Sequence, residues 1–257
     1  MNIISLVSMK GGVGKTSLTS GIAAALVSRL GKNRVFVIDL DPKNMLLWHF
    51  GLFSKNGKGI AHSGASSATV VDMHALVLRS ESGIRCLPFG NVSEAERKQF
   101  ESVLANNPDY LVELIENLGF DRDCIVLIDT PPGHSIYQKQ ALRASNMAIS
   151  VALPDAATYA TVASMESAFH NGFSNKPSVY VVNQYDQRQA LGIDVVHALK
   201  NQLAKRIAPI FISYDEGVRE ALAVQQTCLQ YDPHGQGSHD VDQLSQWLIR
   251  LLNGGVG

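Results

Sequence analysis

Lysine, glycine and hydroxyl side chains crowd into one short run, Lys10-Gly11-Gly12-Val13-Gly14-Lys15-Thr16-Ser17. That mixture suits the holding of phosphate. The three glycines let the backbone curl until successive N–H groups converge on an anion. Lys15 brings a point charge that reaches terminal phosphates, and the Thr16 hydroxyl is placed to ligate Mg²⁺. An apolar run, Ile3–Val7, precedes the loop, and a helical pattern over 16–30 follows it. The loop therefore joins a strand to a helix whose positive end faces the anion. The usual pattern Gly-x-x-x-x-Gly-Lys-Thr would begin at position 9, where Met9 stands, and a second lysine, Lys10, lies inside the loop.

Acids and amides recur where other strands should end. One apolar run closes on Asp39-Leu40-Asp41-Pro42, another on Asp129-Thr130-Pro131-Pro132-Gly133, and a third on Asn183-Gln184-Tyr185-Asp186. A lone aspartate at such a place is about as often a helix cap or turn residue. Three such ends behind one phosphate loop point instead to a nucleotide site, because ligands of open parallel sheets sit at the carboxyl ends of the strands.

The elements that must carry these residues follow from apolar periodicity. Strands are predicted at Ile3–Val7, Val35–Asp39, Ile84–Pro88, Ile125–Asp129, Ala148–Leu153, Val179–Asn183 and Ile207–Ile212. Helical spacing covers 16–30, 93–105, 109–119, 155–169, 190–206, 216–225 and about 239–252. Strands apolar on both faces, alternating with helices, specify an α/β fold: a mostly parallel central sheet with helices on both faces. No composition break divides the chain, so one domain over 1–257 is expected. Ser54–Ser67, rich in Gly, Ser and Lys, reads as a mobile loop.

Composition narrows the class. With 46% apolar and 18% charged residues over 257 positions, the chain can bury a large core, and its composition argues against disorder. A net charge of -1 does not demand nucleic acid. Cys86, Cys124 and Cys228 are sparse and odd in number, which argues against a disulfide framework and for a reducing compartment. No Cys-x-x-Cys pair is present, and the eight histidines have no metal-ligand spacing. No signal peptide is expected, and no apolar stretch approaches the ~20 residues of a membrane helix.

The loop with its second lysine resembles that of the deviant Walker A ATPases, the MinD/ParA group of P-loop NTPases (SIMIBI class). The likeness extends over nearly the whole chain. In that group the lysine corresponding to Lys10 reaches across a homodimer to the partner's nucleotide. The resemblance implies that ATP and Mg²⁺ are bound, with Lys10, Lys15 and Asp41 catalytic. Gly11, Gly12, Val13, Gly14, Lys15, Thr16 and Ser17 would cradle the phosphates. Thr16, Asp39 and Asp129 would serve the metal, and Asp41 would position the attacking water. Gly133 would sense the γ-phosphate through its N–H. Asn183 would read adenine, since an amide offers both a donor and an acceptor. Its spacing to Asp186 also fits guanine readers, so the choice of adenine rests on the resemblance. Where the group usually has Ile-Pro-x-Asp/Asn along the adenine pocket, this chain has Ile212-Ser213-Tyr214-Asp215. Tyr214 either stacks on the base or is a surface tyrosine. His134 reads as a surface group.

A narrower resemblance is carried by Leu87-Pro88-Phe89-Gly90, Ser93-Glu94-Ala95-Glu96, Tyr214-Asp215-Glu216, Glu220–Val224, Tyr231 and a last helix holding Leu244 and Trp247. These are similar to the BcsQ family (also YhjQ) of bacterial cellulose synthesis proteins. Some members have lost the loop lysines, whereas Lys10, Lys15 and Thr16 are all present here. The resemblance implies a cytoplasmic ATP-dependent switch regulating the cellulose synthase complex. It also implies a small partner, BcsR, a c-di-GMP-binding partner, BcsE, and recruitment to the inner membrane or a cell pole through them. Two alternatives are a ParA-type partition ATPase and a MinD-type positioning ATPase. The first would bind non-specific DNA through Lys200, Lys205 and Arg206. The second would touch membrane through the amphipathic residues 243–252. With Arg250 its only cation, that helix is expected to pack on the sheet, and DNA is not the expected partner.

Overall fold

The computed structural model describes residues 1–64, 72–172 and 176–254. Seven strands form one sheet: β1 (Asn2–Val7), β2 (Val35–Asp39), β3 (Leu78–Arg79), β4 (Arg85–Leu87), β5 (Ile125–Asp129), β6 (Met147–Ala152) and β7 (Ser178–Val182). Their order is β3-β4-β2-β5-β1-β6-β7. All pairings are parallel except that of β3 with β4. The helices are α1 (Lys15–Leu30), α2 (Leu46–His49), α3 (Met73–Leu76), α4 (Glu94–Asn106), α5 (Tyr110–Asn117) and α6 (Ile136–Ala144), then α7 (Ala156–Gly172), α8 (Ala190–Leu203), α9 (Glu216–Ala223), α10 (Cys228–Tyr231) and α11 (Gln236–Leu252).

Strand alternation explains the layers. Ile4 and Leu6 of β1, with Val35, Val37, Ile125 and Leu127, meet α1, α2 and α11 in one core cluster. The intervening Ile3, Phe36, Ile38, Val126 and Ile128 meet α4, α5 and α6 on the other face. Farther along that face, Ala148, Tyr180 and Val182 pack with α7 and α8. Each central strand is therefore buried on both sides, as its unbroken apolar run requires.

Four expectations need correction. The strand predicted at Ile207–Ile212 does not form. The segment pairs with the sheet margin only in isolated bridges at Tyr180–Ile207 and Tyr185–Ser213. Ala208 and Ile212 donate to Tyr180 O and Val182 O at 2.8 and 2.9 Å, four residues spanning what a regular ladder covers in two, so the chain bulges away between them. The described part of the 54–67 loop is docked rather than loose: Ile60 and Ala61 are buried, and their N–H groups bond to Pro88 and Phe89 carbonyls at 2.9 and 3.0 Å. Gly59 permits this approach, because a Cβ there would meet Pro88 O at 2.4 Å. Residues 65–67 of that loop lie outside the described residues. The last helix packs chiefly on α1 rather than on the sheet, burying Val241, Leu244, Trp247 and Leu248. Finally, α2, α3, α6, α10 and the two-residue β3 have no counterpart among the predicted elements, and the 190–206 helix stops at Leu203 before a 3₁₀ turn.

Candidate nucleotide site

The glycine run connects β1 to α1 as its residue types dictate. Gly12 (φ 75°) and Gly14 (φ 78°) take the left-handed conformation that opens a backbone nest. Gly14 is doubly required, since a Cβ would lie 2.4 Å from Asn183 Nδ2. The loop is held in shape from outside. Asn183 Nδ2 donates to Val13 O at 2.8 Å, and Gln184 Nε2 donates to Gly12 O at 3.4 Å. Gly133 N–H donates to Ser8 O at 2.8 Å.

Beneath the loop lies a buried charge cluster. Lys15, 6% exposed, points its ammonium at Asp129 Oδ1 (3.2 Å) and also donates to the Thr130 carbonyl. Thr16 Oγ1 donates to Asp129 Oδ2 at 2.7 Å, which leaves its lone pairs for a cation. Thr19, one helical turn on, donates to Asp129 Oδ1 at 3.2 Å. Asp39 faces Asp129 directly across the β2–β5 ladder. Burial pushes the Asp39 carboxyl well above the ordinary range, and the nearby Asp129 charge pushes it further. Two sequestered carboxylates among hydroxyl oxygens form a hard donor set whose repulsion a divalent cation relieves, so Thr16, Asp39 and Asp129 fit Mg²⁺. Asp39 also organises the following chain by accepting the N–H groups of Asp41 (2.9 Å) and Leu46 (3.2 Å).

A pocket of about 190 Å³ opens over this cluster, bordered by the glycine loop, Lys10, Asp41, Lys43, Met45 and Pro132. Gly14 and Ser17 belong both to this pocket and to a second cleft formed by Asn183, Ser213, Tyr214, Asp215 and Arg219. The two clefts adjoin at Gly14 and Ser17. Tyr214, 40% exposed, is at once a surface residue and a wall of the second cleft, its hydroxyl bonded to Glu216 and Arg219. The Asp215 carboxylate is spent on the Gly217 and Gly237 N–H groups, so only its backbone is left to line the cleft. Asp240 of α11 fixes Ser213 through its N–H at 2.8 Å.

Three of the expected site residues have partners within the chain. The Asn183 amide offers the base only its oxygen, because its nitrogen is committed to Val13. The Gly133 N–H must leave Ser8 before it can meet a phosphate. Lys10 has a use within its own chain: its ammonium pairs with Asp155 Oδ2 at 2.6 Å, while Asp155 Oδ1 accepts the Thr158 N–H at 2.7 Å. Asp155 is another strand-end acid, after β6, and the strand-end rule would have found it. Asp186 turns away, gripped by Arg188, whose hydrogen bonds lower its pKa to about 2. His134 is exposed.

The alternative surfaces are largely engaged elsewhere. Arg206 pairs with Glu166, and the Lys200 ammonium lies 4.9 Å from the centre of the Phe211 ring. Among the described residues, no helix is long and apolar enough to cross a membrane.

A family model described as Cellulose biosynthesis protein BcsQ matches residues 1–249. The chain belongs to the BcsQ family. It is 26% identical to the BcsQ of Salmonella typhimurium over 97% of this chain and 94% of that one. It is also 27% identical to the chromosome-partitioning ATPase Soj of Thermus thermophilus, over 95% and 93%. The fold matches that of the septum site-determining protein MinD of Pyrococcus horikoshii, solved with Mg-ADP, at a TM-score of 0.80 and 22% identity, covering 98% and 97%. This BcsQ-family chain thus has the MinD/ParA-like P-loop fold that the glycine loop led one to expect.

Proposed function

We propose that this BcsQ-family chain is an ATP-driven switch. It hydrolyses ATP to ADP and phosphate and closes into a two-fold dimer around the nucleotides. Through that cycle it regulates assembly, localisation or activity of the cellulose synthase complex, with BcsR and BcsE as partners. One observation carries the nucleotide reading: a lysine and a threonine locked onto a buried acid beneath a nest of backbone amides, adjoining the cleft of Asn183 and Tyr214.

Phosphoryl transfer depends mainly on positioning and charge stabilisation. Lys15 meets the β- and γ-phosphates from below, and the α1 N-terminus adds its dipole. Bound Mg²⁺ would neutralise charge on the same oxygens. Asp41, 8% exposed and bordering the glycine-loop pocket, orients water for in-line attack. The new P–O bond forms to water as the bond to the β-phosphate oxygen breaks. In the second cleft, the free Asn183 oxygen accepts from the adenine amino group.

Calorimetry with ATP and Mg²⁺ tests the reading. The parent should bind, and Lys15→Ala should lose tenfold or more in affinity. Since that change also leaves Asp129 without its cation, far-ultraviolet circular dichroism must show that the variant is folded. Equal binding by a folded Lys15→Ala protein would reject the loop assignment.

A further inference from the structure

Three lysines border the glycine-loop pocket: Lys10, Lys15 and Lys43. Two are engaged. Lys15 is held by Asp129 and Lys10 by Asp155. The Lys43 side chain is exposed, and among the described residues its ammonium has no carboxylate or hydrogen-bond partner. Its backbone, by contrast, is fixed. Lys43 N–H donates to Asp41 Oδ1 at 3.0 Å, and Asn44 N–H closes the turn on Asp41 O at 2.8 Å. Pro42 precedes it with a restricted φ, and Asn44 follows at φ 53°. Asn44 Oδ1 accepts the Gly90 N–H at 3.2 Å, which ties this turn to the chain after β4. A rigid stem thus carries a free cation on a flexible four-carbon arm.

The arrangement of the two clefts decides which phosphate that cation can meet. Gly14 and Ser17 line both clefts, whereas Lys43, Asp41 and Pro132 line only the glycine-loop pocket and not the cleft of Asn183 and Tyr214. A nucleotide with its base in the Asn183 cleft and its phosphates over the glycine loop would direct its terminal phosphate toward the residues that line the loop pocket alone. We propose that Lys43 is a phosphate-contacting residue acting within its own chain, pairing with the γ-phosphate of ATP and so discriminating triphosphate from diphosphate. This rests on the nucleotide reading above. The pairing has a conformational consequence. Asp41 holds the Lys43 N–H, so a γ-phosphate drawing on Lys43 pulls on the turn that also carries the water-orienting carboxylate. Lys10, parked on Asp155, is then left to the dimer contact.

Calorimetry of the full chain with Mg²⁺ and either ADP or a non-hydrolysable ATP analogue tests this in the parent, Lys43→Ala and Lys43→Arg. A charge-assisted contact implies that Lys43→Ala loses about tenfold or more for the triphosphate. ADP affinity should stay within about twofold, and Lys43→Arg should retain most of the triphosphate preference. Equal losses for both nucleotides, or no loss for either, would overturn the γ-phosphate assignment. A parent that binds neither nucleotide would also remove it, but by removing the nucleotide reading itself, an outcome visible in the parent before any variant is compared.

Discussion

At Asn183 one hydrogen bond decides what a base can find. With Nδ2 committed to Val13 O, the side chain presents an acceptor alone. The adenine amino group satisfies that acceptor, whereas the guanine carbonyl oxygen would oppose it, leaving two acceptors facing each other. Desolvated mismatches of this kind discriminate strongly. Asp186, the other half of the guanine-type spacing, has both oxygens engaged by Arg188 and cannot hold a guanine edge without giving them up. GTP should therefore displace a fluorescent ATP analogue at least tenfold less effectively than ATP does. Displacement at equal concentrations would contradict this account of Asn183.

Among the elements, α2 shows how the chain after Asp41 is secured. Asp39 accepts the Leu46 N–H, and His49 in the next turn is buried. Burial lowers the His49 pKa to about 4, with the Asp129 charge opposing that fall. The sign follows directly. Unfolded, His49 takes a proton near pH 6.5, but folded it stays neutral until about pH 4, so the unfolded chain binds more protons between those values. Stability from this residue is complete above pH 6.5 and is lost as pH falls through that window. At pH 5 the loss should be about 2 kcal/mol relative to neutral pH. Urea unfolding of the parent and His49→Gln at pH 7.5 and 5 checks it. If the difference in unfolding free energy between the two proteins does not change with pH, His49 is not the group responsible.

For the whole molecule, the Lys10–Asp155 pair places a choice before the proposed dimer. Lys10 either stays on Asp155 or reaches the partner's nucleotide, because one ammonium cannot serve both at 2.6 Å. Both side chains are about one-third exposed, so the pair is a modest barrier rather than a lock. Asp155→Asn keeps an acceptor for Thr158 N–H and weakens the ion pair, so ATP should drive dimerisation at several-fold lower protein concentration. Lys10→Ala should still bind ATP yet remain monomeric. Asp41→Asn, which preserves the acceptor for Lys43 N–H, should hydrolyse slowly and accumulate as dimer. Sedimentation velocity with ATP and with ADP reads all three. A dimer of unchanged strength in Lys10→Ala would assign Lys10 to its own chain alone.

Some of this was written in local sequence and some was not. The loop, its flanking strand and helix, and the acids closing β2 and β5 were legible because each depends on residue type and spacing: glycine for left-handed backbone, unbroken apolar runs for strands covered on both faces. The Ser93-x-x-Glu96 run, noted first as a likeness, is the capping box of α4, a signal equally readable from one stretch of chain. What no local pattern could supply was pairing between distant segments. Asn183 spends its nitrogen on Val13, and Asp155 captures Lys10 across 145 positions of sequence. Asp215 gives its carboxylate to α9 and α11. Lys43 lines the glycine-loop pocket and is unpaired among the described residues. A side chain's type states which bonds it can make, but only the folded chain decides which neighbours compete for them.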